Sequence, residues 1–175
     1  MPKEKIRLGV SACLLGERVR YNGGHQRDAI VTKLLAPFIE WVPVCPEIEI
    51  GLGVPRPVMR LTGRSASPRL VVESTGEDLT ARMRRYARAK AAELARLELD
   101  GFVLKSRSPS CGLAGVPVQD GRRRRPGRGL WAAALMRRVR GLPVVEETDL
   151  ADPAIRARFL SRARQRAARR QSRRT

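Results

Sequence analysis

Histidine occurs once in this 175-residue chain, cysteine three times, and aromatic residues make up only 4% of it. Few aromatics leave Leu, Val, Ile and Ala to fill a core, for which 42% hydrophobic residues suffice. They also deny single-stranded nucleic acid the rings on which its bases stack. No apolar run approaches the ~18 residues of a membrane span. Met1-Pro2-Lys3-Glu4-Lys5 leads into an apolar strand without the hydrophobic region of a signal peptide. The expectation is therefore a cytoplasmic protein, where disulfides rarely persist. No Cys-x2-Cys pair is present, which counts against a structural zinc site, since zinc takes four ligands and usually finds them in such pairs.

The three cysteines, Cys13, Cys45 and Cys111, are an awkward number for disulfides and a natural one for a metal cluster with one open position. Thiolates are soft ligands that select iron–sulfur clusters, zinc or copper. Each cysteine stands at the end of a predicted strand. Ile6–Ala12 reads as a buried strand leading to Cys13, 41–45 as a strand ending at Cys45, and 101–105 as a strand running into the Cys111 loop. Another strand is expected at 69–73 and a short last one at 142–145. Helices are expected over 27–37 (Ile30, Leu34 and Phe38 on one face), from 74–78 to about Leu99, over 130–138, and from Asp149 or Asp152-Pro153 onward. Residues 47–57 and 112–128 read as loops. Strands alternating with helices predict an α/β domain, Rossmann-like and three-layered around a mainly parallel sheet. Ligands in such sheets sit beyond the C-terminal edge of the strands, so three cysteines far apart in sequence can meet there. Residues 1–150 form the expected cluster-binding domain and 151–175 an Arg-rich helix or tail, anchored by Ile155, Phe159 and Leu160 and frayed from Arg166 on.

Formal net charge is +19 and is unevenly placed. Residues 122–175 hold 17 arginines against four acids. Blocks of like charge suggest an interaction surface, here for RNA, tRNA or another polyanion. An Ala/Arg composition bias with solvated helix faces explains the same counts.

The segments around the cysteines resemble the thiouracil desulfidase family, an iron–sulfur family once classed as a domain of unknown function. The matching stretches are Val10-Ser11-Ala12-Cys13-Leu14-Leu15-Gly16, Val19-Arg20-Tyr21-Asn22-Gly23-Gly24-His25, Val42-Pro43-Val44-Cys45-Pro46-Glu47, Gly51-Leu52-Gly53-Val54-Pro55-Arg56-Pro57, Leu104-Lys105-Ser106-Arg107-Ser108-Pro109-Ser110-Cys111-Gly112 and Gly127-Arg128-Gly129-Leu130. They run in order through roughly residues 6 to 145. The resemblance implies a 4Fe–4S cluster on Cys13, Cys45 and Cys111, with a fourth iron lacking a protein ligand. It implies a non-redox desulfidase that takes sulfur from a thiolated pyrimidine such as 2-thiouracil and releases sulfide. The Glu47-Ile48-Glu49-Ile50-Gly51 form resembles a longer subtype that often continues into a second domain; the expectation here is the cluster domain with a basic tail.

The chemistry needs a group that moves protons beside the cluster, because water must be deprotonated to attack the ring carbon and a ring nitrogen protonated as the C–S bond breaks. Glu47 is the first candidate and Glu49 the second; the plainer role for Glu47 is pairing with Arg56 or Arg20. The family pattern favours Ser106 as a functional serine, while Ser108 and Ser110 suit turn hydrogen bonds. Ser11 either points at the cluster or packs a tight strand end, and Lys105 and Arg107 either balance cluster charge or are solvated. His25 is a fourth ligand or base on one reading and a loop histidine bonded to backbone on the plainer one. Three rivals stand beside the desulfidase: a structural zinc site, a cysteine-nucleophile hydrolase with Cys111 and His25, and a nucleic-acid-binding module.

Overall fold

The computed structural model describes residues 5–173. In chain order the elements are β1 (Ile6–Ser11), β2 (Ile39–Val44), the one-turn helix α1 (Pro46–Glu49), β3 (Met59–Thr62), β4 (Arg69–Val72), α2 (Thr80–Arg96), β5 (Gly101–Leu104), β6 (Val116–Asp120), β7 (Arg123–Gly127), α3 (Leu130–Arg138), β8 (Val144–Glu146) and α4 (Pro153–Ser172). Strands β2-β1-β5-β8 form a wholly parallel sheet in that order. Both faces are covered, as parallel sheets require. Leu8, Val10, Val103 and Val145 pack on one side with Val31, Leu35, Phe159 and Ala163. Phe102 and Leu104 pack on the other with Ala87, Ala91 and Leu94 of α2 and Trp131 and Leu135 of α3. Alternation within β5 sends Val103 to one layer and its neighbours to the other. Gly9 in β1 is small because the Phe102 ring lies over it: an added Cβ would come within 2.2 Å of that ring. The three-layer α/β expectation holds.

A second sheet, β4-β3-β6-β7, mixes parallel and antiparallel pairs. The expected strand at 69–73 belongs here, and the expected loop at 112–128 is mostly the β6–β7 hairpin. Val116 and Val118 point into a core with Leu61, Leu70 and Met83, while Arg123, Arg124 and Arg125 are exposed along β7, an edge strand of the charged kind that resists further pairing. α2 serves both sheets, Met83 facing the second and Ala87, Ala91 and Leu94 the first.

Two further expectations are corrected. The helix expected over 27–37 begins only at Ile30 and is not an α-helix: it is a wide, π-type helix at Ile30–Leu35 that tightens into a 3-10 turn at Ala36–Phe38. Val31 and Leu35 are buried; Leu34 and Phe38 are exposed. The C-terminal helix does begin at Asp152-Pro153, where the Asp152 carboxylate accepts from Ala154 N–H at 2.7 Å. It does not fray at Arg166. It stays helical to Ser172 because Phe159, Ala163, Ala167 and Arg170 are buried, and Arg170 pairs with the fully buried Asp100 at 3.0 Å. Thr175 lies outside the described residues. No helix among the described residues is long and apolar enough to cross a membrane.

Candidate metal centre

The chain leaves β1 for β2 on one side and later returns to β5 on the other, so strand order reverses at β1. A crevice opens at such a point, beyond the C-terminal ends of the strands. Cys13 leaves β1 on a tight turn over Ala12–Leu15, Cys45 follows β2 and opens α1, and Cys111 closes the loop after β5. All three line one cavity of about 620 Å³. The expected convergence at one sheet edge is therefore present. The thiols are free. Cys13 and Cys111 are buried and Cys45 half-buried.

Burial dominates their electrostatics. It pushes the Cys13 thiol up to about 11, with Cys45 adding to the rise and Lys105 and Arg20 opposing it. Burial likewise raises Cys45 and lifts Cys111 well above its ordinary value, against a hydrogen bond with Ser11. Thiolates here need a positive charge close by, which a bound metal supplies. Among the described residues no three His, Cys, Asp or Glu side chains close on a single metal ion. The donor set is thus three soft ligands around a roomy site.

The Cys111 loop is held by neighbouring backbone. Ser108 Oγ accepts from the N–H groups of Ser110 and Cys111 at 3.2 and 3.0 Å. The start of α3 grips the same loop, with Trp131 N–H donating to Ser110 O at 3.0 Å and Gly129 N–H to Gly112 O at 2.8 Å. Gly129 must be glycine for this approach, since a Cβ would meet Ser110 O at 2.3 Å.

Two carboxylates enter the cavity. Glu47, on the first turn of α1, forms an ion pair with Arg56 and accepts from Ser110 Oγ at 2.9 Å. The Arg56 side chain is only 3% exposed and also donates to Val19 O and Gly53 O. The pairing with Arg56 is present together with the cavity position. Glu49 does not line the cavity; it bonds Lys90 at 3.1 Å and Cys45 N–H at 3.3 Å. The second carboxylate, Glu147, was not anticipated. It follows β8, and its place just past a strand end is the same signal that marked the cysteines. Glu147 accepts from Ser106 N–H and Ser106 Oγ, both at 2.7 Å, and pairs with Lys105. Lys105 Nζ also donates to Ser106 Oγ at 3.0 Å. Ser106, Lys105, Arg107 and Ser11 all line the cavity. Ser11 Oγ accepts from Lys105 N–H at 2.9 Å, tying the ends of β1 and β5 together. His25 is exposed and outside the cavity, its Nδ1 accepting from Arg27 N–H at 3.0 Å; it is the loop histidine of the plainer reading, and it is not brought to Cys111.

Similarity to known proteins points the same way. Residues 8–147 match the family model of 2-thiouracil desulfurase. The uncharacterized protein YbbK of Bacillus subtilis (strain 168) is 31% identical over 151 residues, spanning 82% of this chain and 97% of its own. A solved [4Fe-4S]-dependent thiouracil desulfidase, TudS, is 34% identical and superposes with a TM-score of 0.68, covering 90% of this chain and 99% of its own. With the family model spanning most of the sequence and every cysteine inside the matched region, the chain belongs to the 2-thiouracil desulfurase family.

Proposed function

We propose that this protein is a 4Fe–4S-dependent desulfidase that replaces the sulfur of a thiolated pyrimidine by oxygen, releasing sulfide without net redox change. Cys13, Cys45 and Cys111 hold the cluster. The observation that carries this reading is the meeting of the chain's only three cysteines in one cavity, in a chain 34% identical to a [4Fe-4S]-dependent thiouracil desulfidase. The donor set fits. Thiolates of a cubane sit on different irons and stand further apart than the ligands of one ion, which suits three thiols around a roomy cavity. The bound cluster supplies a Lewis-acidic position for the substrate sulfur, making it a better leaving group.

Glu47 is the group that moves the proton. Fixed at the cavity wall by Arg56, it accepts a proton from the attacking water and returns it to a ring nitrogen as the C–S bond breaks. Ser110 fixes one Glu47 oxygen. Ser106 orients substrate. Its hydroxyl proton is committed to Glu147, and Lys105 occupies one of its lone pairs, since an ammonium only donates. One lone pair remains, matched to a ring N–H. The test is anaerobic reconstitution with iron and sulfide, followed by sulfide release from 2-thiouracil and its nucleoside. Turnover with uracil-type product supports the proposal; a cluster-loaded protein inert on every thiopyrimidine overturns it.

A further inference from the structure

A second cavity, of about 1050 Å³, shares no lining residue with the cysteine cavity. Its walls come from α2, α3, the segment before β4 and the stretches 113–115 and 126–128. Five arginines line it, Arg84, Arg88, Arg128, Arg137 and Arg138, and no Asp or Glu does. Elsewhere the chain sets acids among its arginines: Asp100 and Glu98 lie in the third cavity beside α4, and Asp120 pairs with Arg125 on the hairpin. Two of the five are held by neutral oxygens that leave their charge uncompensated. Arg84 Nη2 donates to Ser67 Oγ at 3.0 Å and Pro68 O at 3.2 Å, and Arg128 Nε donates to Leu113 O at 2.8 Å. The Ser65 hydroxyl, also in the lining, is buried without a hydrogen-bond partner. Leu113, Leu130 and Ala134 give the groove an apolar part.

We propose that this groove binds a small, multiply phosphorylated molecule. Guanidinium forks match phosphate oxygens two at a time, and arginines anchored beforehand lose less freedom on binding. A cavity walled by two helices suits a compact anion whose uncharged part rests on Leu113, Leu130 and Ala134. The site contains none of the residues assigned to the cysteine cavity, so it stands or falls apart from the desulfidase reading.

The test is calorimetric titration of the purified chain with inorganic triphosphate and with UTP, at two salt concentrations. The expected result is one-to-one binding of at least one probe, weakened about tenfold or more in Arg88→Glu/Arg137→Glu, as the loss and reversal of two exposed ion contacts implies. Arg88→Gln/Arg137→Gln, which keeps the helix-forming character of both positions, should weaken binding in the same direction. Arg122→Glu/Arg123→Glu changes charge equally on the hairpin, outside the groove, and should cost much less. Equal losses in the groove and hairpin variants would overturn the proposal in favour of diffuse charge. So would failure of both probes to bind, or a single-stranded RNA oligonucleotide that outcompetes triphosphate at equal phosphate concentration.

Discussion

Glu47 answers to two neighbours, and they predict two consequences of changing it. In Glu47→Gln the carboxylate charge is gone, while an amide oxygen can still accept from Ser110 Oγ. Sulfide release should fall by ~10²–10⁴-fold, the usual worth of a positioned acid–base group, with iron content unchanged. Arg56 is then a buried cation without its partner, so the thermal midpoint should fall as well, by up to the equivalent of about 3–5 kcal/mol. Turnover equal to the parent would pass the proton-transfer role to Ser106 or a water, since Glu49 lies outside the cavity. Glu47 was legible because Cys45-Pro46-Glu47 keeps a carboxylate within two residues of a thiol. Glu147 was not, because the strand expected at 142–145 is followed by Glu146 and Glu147 alike, and the strand-end signal does not choose between them. The two part only in three dimensions: Glu146 Oε1 accepts from Leu113 N–H at 2.7 Å, whereas Glu147 turns to Ser106.

At the scale of elements, the seat of α3 on the Cys111 loop is a close backbone contact. Gly129 has ordinary negative φ, so Gly129→Ala tests that contact without adding backbone strain. The new methyl would collide with Ser110 O, and the loop must move. The expected outcome is a loss of about 1–3 kcal/mol, typical of overpacking, and a cluster that bleaches faster in air. Stability and bleaching rate both equal to the parent would show that the seat tolerates a gap. The C-terminal helix yields a second prediction. Its reading as a frayed tail came from counting large apolar anchors, which overlooks a charge pair. Truncation before Gln165 removes Arg170 and leaves the buried Asp100 carboxylate with the Arg7 N–H at 2.8 Å. An orphaned buried charge costs about 3–5 kcal/mol, so the midpoint should drop by roughly 10 °C, and turnover at assay temperature should suffer alike on free and tRNA-borne thiopyrimidines. A midpoint unchanged within error would restore the dispensable-tail view. The second sheet escaped the sequence for a related reason. β3 is four residues long, and β6 and β7 carry Pro117 and Pro126 opposite each other, with arginines between. Those residues signal a loop locally, and only the burial of Val116 and Val118 makes them strands.

For the whole molecule, the parallel sheet was readable because each of its first three strands is a short apolar run with a cysteine at its exit or in the loop that follows it. The site followed from topology, since a parallel sheet gathers its strand ends on one edge whatever their distance in sequence. That gathering is what the account rests on: one cavity, three thiols, one cluster. The most direct measurement is iron and acid-labile sulfide per chain after anaerobic reconstitution, made on the parent protein and on Cys13→Ser, Cys45→Ser and Cys111→Ser. The account predicts about four irons and four sulfides per chain in the parent, a brown colour, and loss or marked lability of that loading in each of the three variants. Full loading in any one variant, or a parent that takes up a single zinc and no sulfide, would contradict it.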